Sequence, residues 1–273
     1  MAGGFGVIGL GRMAQALLLP LLEAGLIDAA SVRAVVASEA SARLLHEQQG
    51  LQVGTDPAPA WRCGTVLLAV KPQQLNAVAA AAQAVGALNR PSSADAPPLL
   101  LSVLAGVPLE RLERLFPGWR CLRAVPNTPC LVRSGLTGLA WGSGISEERR
   151  AWVRSLFACV GEVLELPEQQ LDAFLALTSS GPAFLALVVE AMADGAVAAG
   201  LPRAQALHLT HRTLAGTAAL LDQHNLHPGQ LKDMVSSPAG TTIAGLRKLE
   251  QAGLRSALIE AVLAAAARSR ELA

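Results

Sequence analysis

Short apolar runs alternate with longer helical patterns in the first part of the chain. The predicted strands are residues 5–9, 32–37, 65–70 and 99–103. The predicted helices are residues 12–24, residues 41–49, an Ala-rich helix that begins at Pro72, and residues 108–115. Strands that alternate with helices are typical of a parallel sheet covered on both faces, so the pattern predicts a Rossmann-like, doubly wound α/β domain. Residues 90–98 have the composition of a surface loop.

Beyond residue 166 the pattern predicts helices alone. These predicted helices are residues 168–178, 182–199, 203–222 and 242–271. Residues 171–201 carry only three charges, at Asp172, Glu190 and Asp194. A helix that is apolar nearly all round must be buried on more than one side, and a small helical domain has little interior of its own. We therefore expect domains at 1–166 and 167–273, the second being an all-α dimerisation domain with a core-like interface.

Composition excludes several classes of protein. Hydrophobic residues make up 52% of the chain, charged residues 16%, and the net charge is +1, which argues against a disordered chain and against a nucleic-acid partner. The longest uncharged runs, 72–89 and 173–189, are interrupted by polar residues or by Gly181-Pro182, so no membrane span is expected. No signal peptide is evident, which predicts a cytoplasmic protein. The chain has no tyrosine, and this excludes a Tyr–Lys proton donor.

Metal chemistry is not expected. The four cysteines are scattered without a CxxC pair, and His208 and His211 have no third ligand nearby in the sequence. We interpret the cysteines as small buried hydrophobic residues.

A glycine-rich turn between the first predicted strand and helix indicates a dinucleotide site. The sequence Gly9-Leu10-Gly11-Arg12-Met13-Ala14 fits the GxGxxA pattern: one glycine for the turn, one for close approach of a pyrophosphate, and a small residue for helix packing.

The residues at the end of the second strand do not decide between NADH and NADPH. Glu39 could hold the ribose hydroxyls of NADH, whereas Ser38, Ser41 and Arg43 could surround the 2′-phosphate of NADPH.

Further candidates follow other strands and precede helices. Lys71 and the segment 102–107 stand at predicted strand ends, where open α/β sheets bind ligands. Residues 126–129 form a rigid Pro-bracketed turn, and residues 178–182 precede the most apolar helix. The segment 236–242 combines hydroxyls with a helix start, which is typical either of a carboxylate-binding pocket or of an ordinary capping loop.

In this order, these segments resemble pyrroline-5-carboxylate reductase over essentially the whole chain. The resemblance is carried by residues 9–14, 69–72, 102–107, 126–129, 180–183, 190–195 and 227–233, and above all by 237–246. It implies reduction of 1-pyrroline-5-carboxylate to L-proline, a Rossmann domain, and a helical domain that interlocks in homodimers, which can assemble into decamers. The implied cofactor is NADPH, with NADH as the other possibility.

The resemblance also implies site residues. The cofactor contacts would be Ile8, Gly9, Leu10, Gly11, Arg12, Met13, Ser38, Ala69, Val70, Lys71, Leu104 and Ala105. The substrate carboxylate would be held by Ser237, Gly240, Thr241 and Thr242, in a loop offered by the partner subunit. Thr242 would also place its hydroxyl near the ring nitrogen, as the catalytic residue. The rest of the chemistry would be positioning of the nicotinamide over an electrophilic imine carbon.

Three departures from the family pattern leave alternatives open. Ala239 and Ser179 stand where glycine is usual, and Pro57 stands near a ribose-contacting asparagine of some relatives. A β-hydroxyacid dehydrogenase would need a lysine in 168–200, which this chain lacks, and a deazaflavin-linked oxidoreductase would share only the N-terminal half. The remaining alternatives are a non-catalytic dinucleotide-sensing dimer and a reductase for a related cyclic imine acid.

Overall fold

Eight strands form one sheet in the part of the chain that the computed structural model describes, residues 3–89 and 97–272. Most of the loop predicted at 90–98 lies outside these residues. The strands are β1 (Phe5–Ile8), β2 (Val32–Val35), β3 (Gln52–Gly54), β4 (Thr65–Leu68), β5 (Leu99–Ser102), β6 (Arg120–Val125), β7 (Gly135–Trp141) and β8 (Gly161–Glu165).

The sheet has the order β3-β2-β1-β4-β5-β6-β7-β8. Neighbouring strands from β3 to β6 are parallel, which confirms the predicted doubly wound sheet. β7 runs antiparallel to β6, while β8 is parallel to β7. The reversal follows from chain length, because only residues 126–134 join β6 to β7 and a parallel crossover needs about a dozen residues or more.

Helices cover both faces of the sheet, and each face has its own apolar core. The helices are α1 (Arg12–Glu23), α2 (Glu39–Gln49), α3 (Ala58–Trp61), α4 (Leu75–Ala84), α5 (Leu109–Leu115), α6 (Glu147–Ala158) and α7 (Leu171–Thr178). Leu17 of α1 and Leu156 of α6 contribute to one core, while Trp61 of α3 and Leu112 of α5 contribute to the other. Strands β1, β4 and β5 are buried on both faces and accordingly have mostly apolar sequences, with Thr65 and Ser102 as their polar members.

The remaining helices follow β8 without further strands in the described chain, as predicted. They are α8 (Gly181–Ala198), α9 (Arg203–Gln223), α10 (Pro228–Met234), α11 (Thr241–Gln251) and α12 (Leu254–Glu271). The single last helix predicted for 242–271 is wrong, because the chain turns at Ala252 and Gly253. Gly253 has φ +74°, a left-handed conformation that ends α11.

Grouping by spatial contacts divides the chain into two compact units. One contains residues 1–179 and 265–273, and the other contains 180–264. The end of the last helix therefore belongs with the first unit, where Ser269 Oγ donates a hydrogen bond of 2.7 Å to Asp172 Oδ1. The last strand, β8, ends at Glu165, beside the predicted division after residue 166, which stays a prediction.

The helical stretch Glu168–Ala198 is long and apolar enough to cross a membrane, by length and composition alone. Its mean hydropathy is 1.6, and only 11% of its apolar 18-residue segment is buried. Two helices, α7 and α8, make up most of this stretch and are separated by Ser179 and Ser180, and the expectation that no segment spans a membrane stays a prediction. Within α8, Leu187 is 68% exposed. An apolar surface of this kind needs cover from outside the subunit.

The cysteines behave as predicted. Cys63, Cys121 and Cys130 are buried, and Cys159 is half-buried. Burial raises the pKa of Cys121 to about 12, with a smaller contribution from Glu113, so its thiol stays neutral at physiological pH.

Candidate active site

The turn after β1 brings the backbone close to the neighbouring strands. Gly9 has φ +93°, and a Cβ at this position would lie 2.9 Å from the carbonyl oxygen of Ala69. The N–H groups of Gly9 and Leu10 both donate to the carbonyl of Val35, at 3.0 and 3.2 Å. Glycine is therefore required here by both conformation and space.

The N-terminus of α1 is open toward this turn. Gly11 is the N-cap in extended conformation, no side chain accepts from the first-turn N–H groups, and the first turn contains no acid. A Cβ built on Gly11 would meet nothing within 4 Å. Ala14 is 1% exposed, which lets α1 pack closely. The free N–H groups and the helix dipole make this end suited to a phosphate.

A cleft of 610 Å³ lies above this turn and extends along the ends of β1, β2 and β4. Its wall contains Ile8, Gly9, Leu10, Gly11, Arg12, Gln15, Val35, Val36, Ala37, Ser41, Leu44, Leu45, Thr55, Pro57, Trp61, Ala69, Val70, Lys71, Gln74, Val78 and Ala81. Two of these side chains are cationic, Arg12 and Lys71, and none of these wall residues is Asp or Glu. A cleft with this charge fits a polyanionic dinucleotide.

The structure brings most of the predicted cofactor residues together. Ile8, Gly9, Leu10, Gly11, Arg12, Ala69, Val70 and Lys71 all contribute to the cleft wall. Met13, Ser38, Leu104 and Ala105 are not among its wall residues. Thr55 and Trp61 are wall residues that sequence reasoning missed, because β3 and α3 have only three and four residues and give too short a pattern to be recognised.

Ser38 caps the helix that starts beside the cleft. Its Oγ accepts from the N–H of Ser41 at 3.3 Å and donates to Ser41 Oγ at 3.0 Å. Ser41 itself lies in the cleft wall. The two hydroxyls therefore form a polar start to α2 at the ribose end of the predicted site.

The loop after β5, which contains Leu104 and Ala105, is held at both ends. The N–H of Leu104 donates to Ser102 Oγ at 3.4 Å. At the other end, Glu168 Oε1 accepts from the N–H of Leu109 at 2.6 Å and from Arg123 Nη1 at 2.9 Å. Arg123 is 4% exposed, so this carboxylate also supplies the counter-charge to a buried guanidinium.

The Pro-bracketed turn 126–129 has a structural role. Asn127 donates through Nδ2 to the carbonyl of Thr178 at 3.0 Å and accepts through Oδ1 from the N–H of Leu136 at 2.8 Å. Ser179 Oγ donates to the carbonyl of Pro126 at 3.1 Å. These bonds join the β6–β7 connection to the end of α7, and the Asn127 amide takes part both as donor and as acceptor.

In the second unit, residues 237–240 form a tight turn before α11. The N–H of Gly240 donates to the carbonyl of Ser237 at 3.0 Å. A Cβ at Gly240 would lie 2.3 Å from Ser237 Oγ, so only glycine lets this hydroxyl lie against the backbone. Gly240 is the N-cap of α11 and no side chain accepts from the first-turn N–H groups.

The predicted substrate residues therefore lie together at the start of α11. Thr241 and Thr242 are its first two residues, with Thr241 exposed and Thr242 half-buried. Hydroxyls and unbonded N–H groups at a helix N-terminus favour binding of a carboxylate.

Ala239 has φ +57°, at the turn position where glycine is preferred. We expect Ala239→Gly to stabilise the protein by about 1 kcal/mol, because an L-residue in this region is strained. The matched control is Ala244→Gly within α11, expected to destabilise by about 1 kcal/mol. Denaturant unfolding of both variants measures the difference, and destabilisation by both substitutions would contradict strain at Ala239.

Comparison with known proteins identifies the family. The family model described as pyrroline-5-carboxylate reductase dimerisation matches residues 168–272. The pyrroline-5-carboxylate reductase of Synechocystis is 43% identical over 270 residues, which are 98% of this chain and 97% of the relative. The chain belongs to the pyrroline-5-carboxylate reductase family.

Further matches agree with this assignment. The reductase of Methanosarcina acetivorans is 39% identical over 98% of this chain and 97% of its own. The crystal structure of Plasmodium falciparum pyrroline carboxylate reductase with NADP bound has a TM-score of 0.87 at 25% identity, covering 99% of this chain and 98% of that one. A model described as NADP oxidoreductase, coenzyme F420-dependent, matches residues 4–96. The resemblance and the two-part fold inferred from sequence are thus confirmed.

Within residues 3–89 and 97–272, no group of three His, Cys, Asp or Glu side chains could hold a metal ion.

Proposed function

We propose that the protein reduces 1-pyrroline-5-carboxylate to L-proline with NADPH. The observation that carries the proposal is the start of α11, where Ser237, Thr242 and unbonded backbone N–H groups lie together in a member of this family. The cleft supports the choice of cofactor, because Arg12 and Lys71 line it and its wall residues include no acid.

In this mechanism the residues of this chain bind the cofactor and the substrate and orient them toward each other. NADPH, when bound, supplies the hydride. Gly11 and the first N–H groups of α1 would hold the pyrophosphate, while the N–H groups of α11 and the Ser237 hydroxyl would hold the substrate carboxylate. The Thr242 hydroxyl would orient the ring nitrogen, which takes a proton from water to form the iminium; addition of hydride to the C=N carbon then gives the secondary amine of proline. Most of the rate enhancement is then positioning.

The active form is a homodimer. The exposed apolar side chains of α8 and the low burial of the 168–198 stretch support this, since a second copy would cover them. We further propose that residues 167–273 provide both the substrate loop and the interlocked helices, that these dimers can assemble into decamers, and that the protein is cytoplasmic. Sedimentation of the purified protein distinguishes a dimer from a decamer.

The test is oxidation of NADPH, followed at 340 nm, with racemic pyrroline-5-carboxylate and with NADH in parallel. Saturable turnover that yields proline supports the proposal. Dinucleotide binding without turnover on this imine or its six-membered homologue would overturn it in favour of a dinucleotide-sensing dimer.

A further inference from the structure

Glu39 occupies a position that commonly decides between NADH and NADPH. It is the first residue of α2, just beyond β2, where an acid typically accepts hydrogen bonds from the ribose hydroxyls of NADH. A carboxylate at that point repels the 2′-phosphate of NADPH. The preferred dinucleotide therefore depends on where the Glu39 side chain lies.

In this structure the Glu39 carboxylate is bound by a neighbouring hydroxyl, and Glu39 does not contribute to the cleft wall. Thr55 Oγ1, just after β3, donates a hydrogen bond of 2.5 Å to Glu39 Oε1. Glu39 lines a separate groove of 580 Å³ along the edge strand, together with Arg33 and Arg43. It is absent from the wall residues of the dinucleotide cleft, whereas Thr55 lies in that wall.

With the Glu39 carboxylate bound to Thr55, the start of α2 is suited to a phosphate. The Ser38 and Ser41 hydroxyls are joined to each other at 3.0 Å, and the helix N-terminus adds partial positive charge. Ser41 is part of the cleft wall. A 2′-phosphate in this region would meet hydroxyls and N–H groups rather than a like charge.

From these contacts we propose that Thr55 is a specificity-determining residue, which favours NADPH over NADH by holding the Glu39 carboxylate outside the cleft. The proposal rests on the cofactor site of the proposed function. Thr55 acts through Glu39, so its side chain needs no contact with the nucleotide.

Thr55→Val removes the hydroxyl and keeps the shape of the side chain. The freed carboxylate can then turn toward the ribose, so the preference for NADPH over NADH, measured as the ratio of their dissociation constants, should shift about tenfold toward NADH, equal to about 1.4 kcal/mol. Binding is followed by quenching of tryptophan fluorescence, because Trp61 lies in the cleft wall. This readout is independent of turnover.

Two further variants distinguish loss of the Thr55–Glu39 hydrogen bond from a change in the shape of the side chain at residue 55. Thr55→Ser keeps a hydroxyl donor and should retain the wild-type ratio. The double variant Thr55→Val/Glu39→Gln lacks the charge and should recover NADPH binding. A ratio unchanged in Thr55→Val overturns the proposal, as does a loss that persists in the double variant. Thr55→Ala replaces valine if circular dichroism shows that the valine variant does not fold.

Failure of this inference can be distinguished from failure of the proposed function. Wild-type protein that binds NADPH and reduces the imine, combined with an unchanged ratio in Thr55→Val, overturns the role of Thr55 alone. Wild-type protein that binds neither nucleotide overturns both.

Discussion

Gly11→Val is expected to weaken NADPH binding about 100-fold, or about 2.7 kcal/mol, and to leave the fold intact. A Cβ at Gly11 meets no protein atom within 4 Å, and Gly11 has φ −83°, which any residue can adopt. The added side chain would instead occupy the space above the first N–H groups of α1, where the pyrophosphate is proposed to bind.

Titration of NADPH and thermal unfolding of the same samples check this prediction. Gly11→Ala should show a smaller loss of affinity, because its side chain reaches less far. Gly9→Ala provides the contrast: its Cβ would lie 2.9 Å from the carbonyl oxygen of Ala69, so it should lose stability as well as affinity. Full NADPH affinity in Gly11→Val would place the pyrophosphate elsewhere.

Thr242→Ala is expected to lower kcat by about one to two orders of magnitude while the affinity for NADPH is unchanged. The residue is half-buried at the second position of α11, and the helix is capped by Gly240 rather than by a threonine side chain. Loss of the hydroxyl therefore removes the proposed contact with the ring nitrogen without removing a cap. The expected loss is about 1.4 to 2.7 kcal/mol of transition-state stabilisation.

Steady-state kinetics at saturating NADPH, with proline as the quantified product, measure this effect. Thr242→Ser keeps the hydroxyl and should restore most of kcat. Unchanged turnover in Thr242→Ala would remove this residue from the mechanism.

Local sequence was sufficient to predict those structural features that a single short segment specifies. The glycine-rich turn and its flanking strand and helix were predictable, because each depends on backbone conformation within a few residues. The helical character beyond residue 166 was equally evident from the absence of strand patterns.

Longer-range features were not predictable. The antiparallel direction of β7 follows from the short connection after β6. That connection indicates a direction only once residues 135–141 are known to form a strand. The contacts of Asn127 with Thr178 and of Glu168 with Arg123 join residues distant in sequence, and no local pattern indicates them.

The amino-acid sequence by itself determined the α/β half, the helical half and, through its resemblance, the family; it also predicts where a phosphate-binding turn and a substrate loop lie. The two halves follow from hydrophobic periodicity, whereas the family and the predicted substrate loop follow from the resemblance of several short segments to the family pattern. Only the tertiary structure decided which side chains face the cleft. At the start of α2 the sequence left Glu39 and Ser38 as equal candidates, and the structure shows that the Glu39 carboxylate accepts a hydrogen bond from Thr55 and is not among the wall residues of the cleft. The physical reason is that β3 pairs beside β2, which brings together two residues that the chain itself keeps apart.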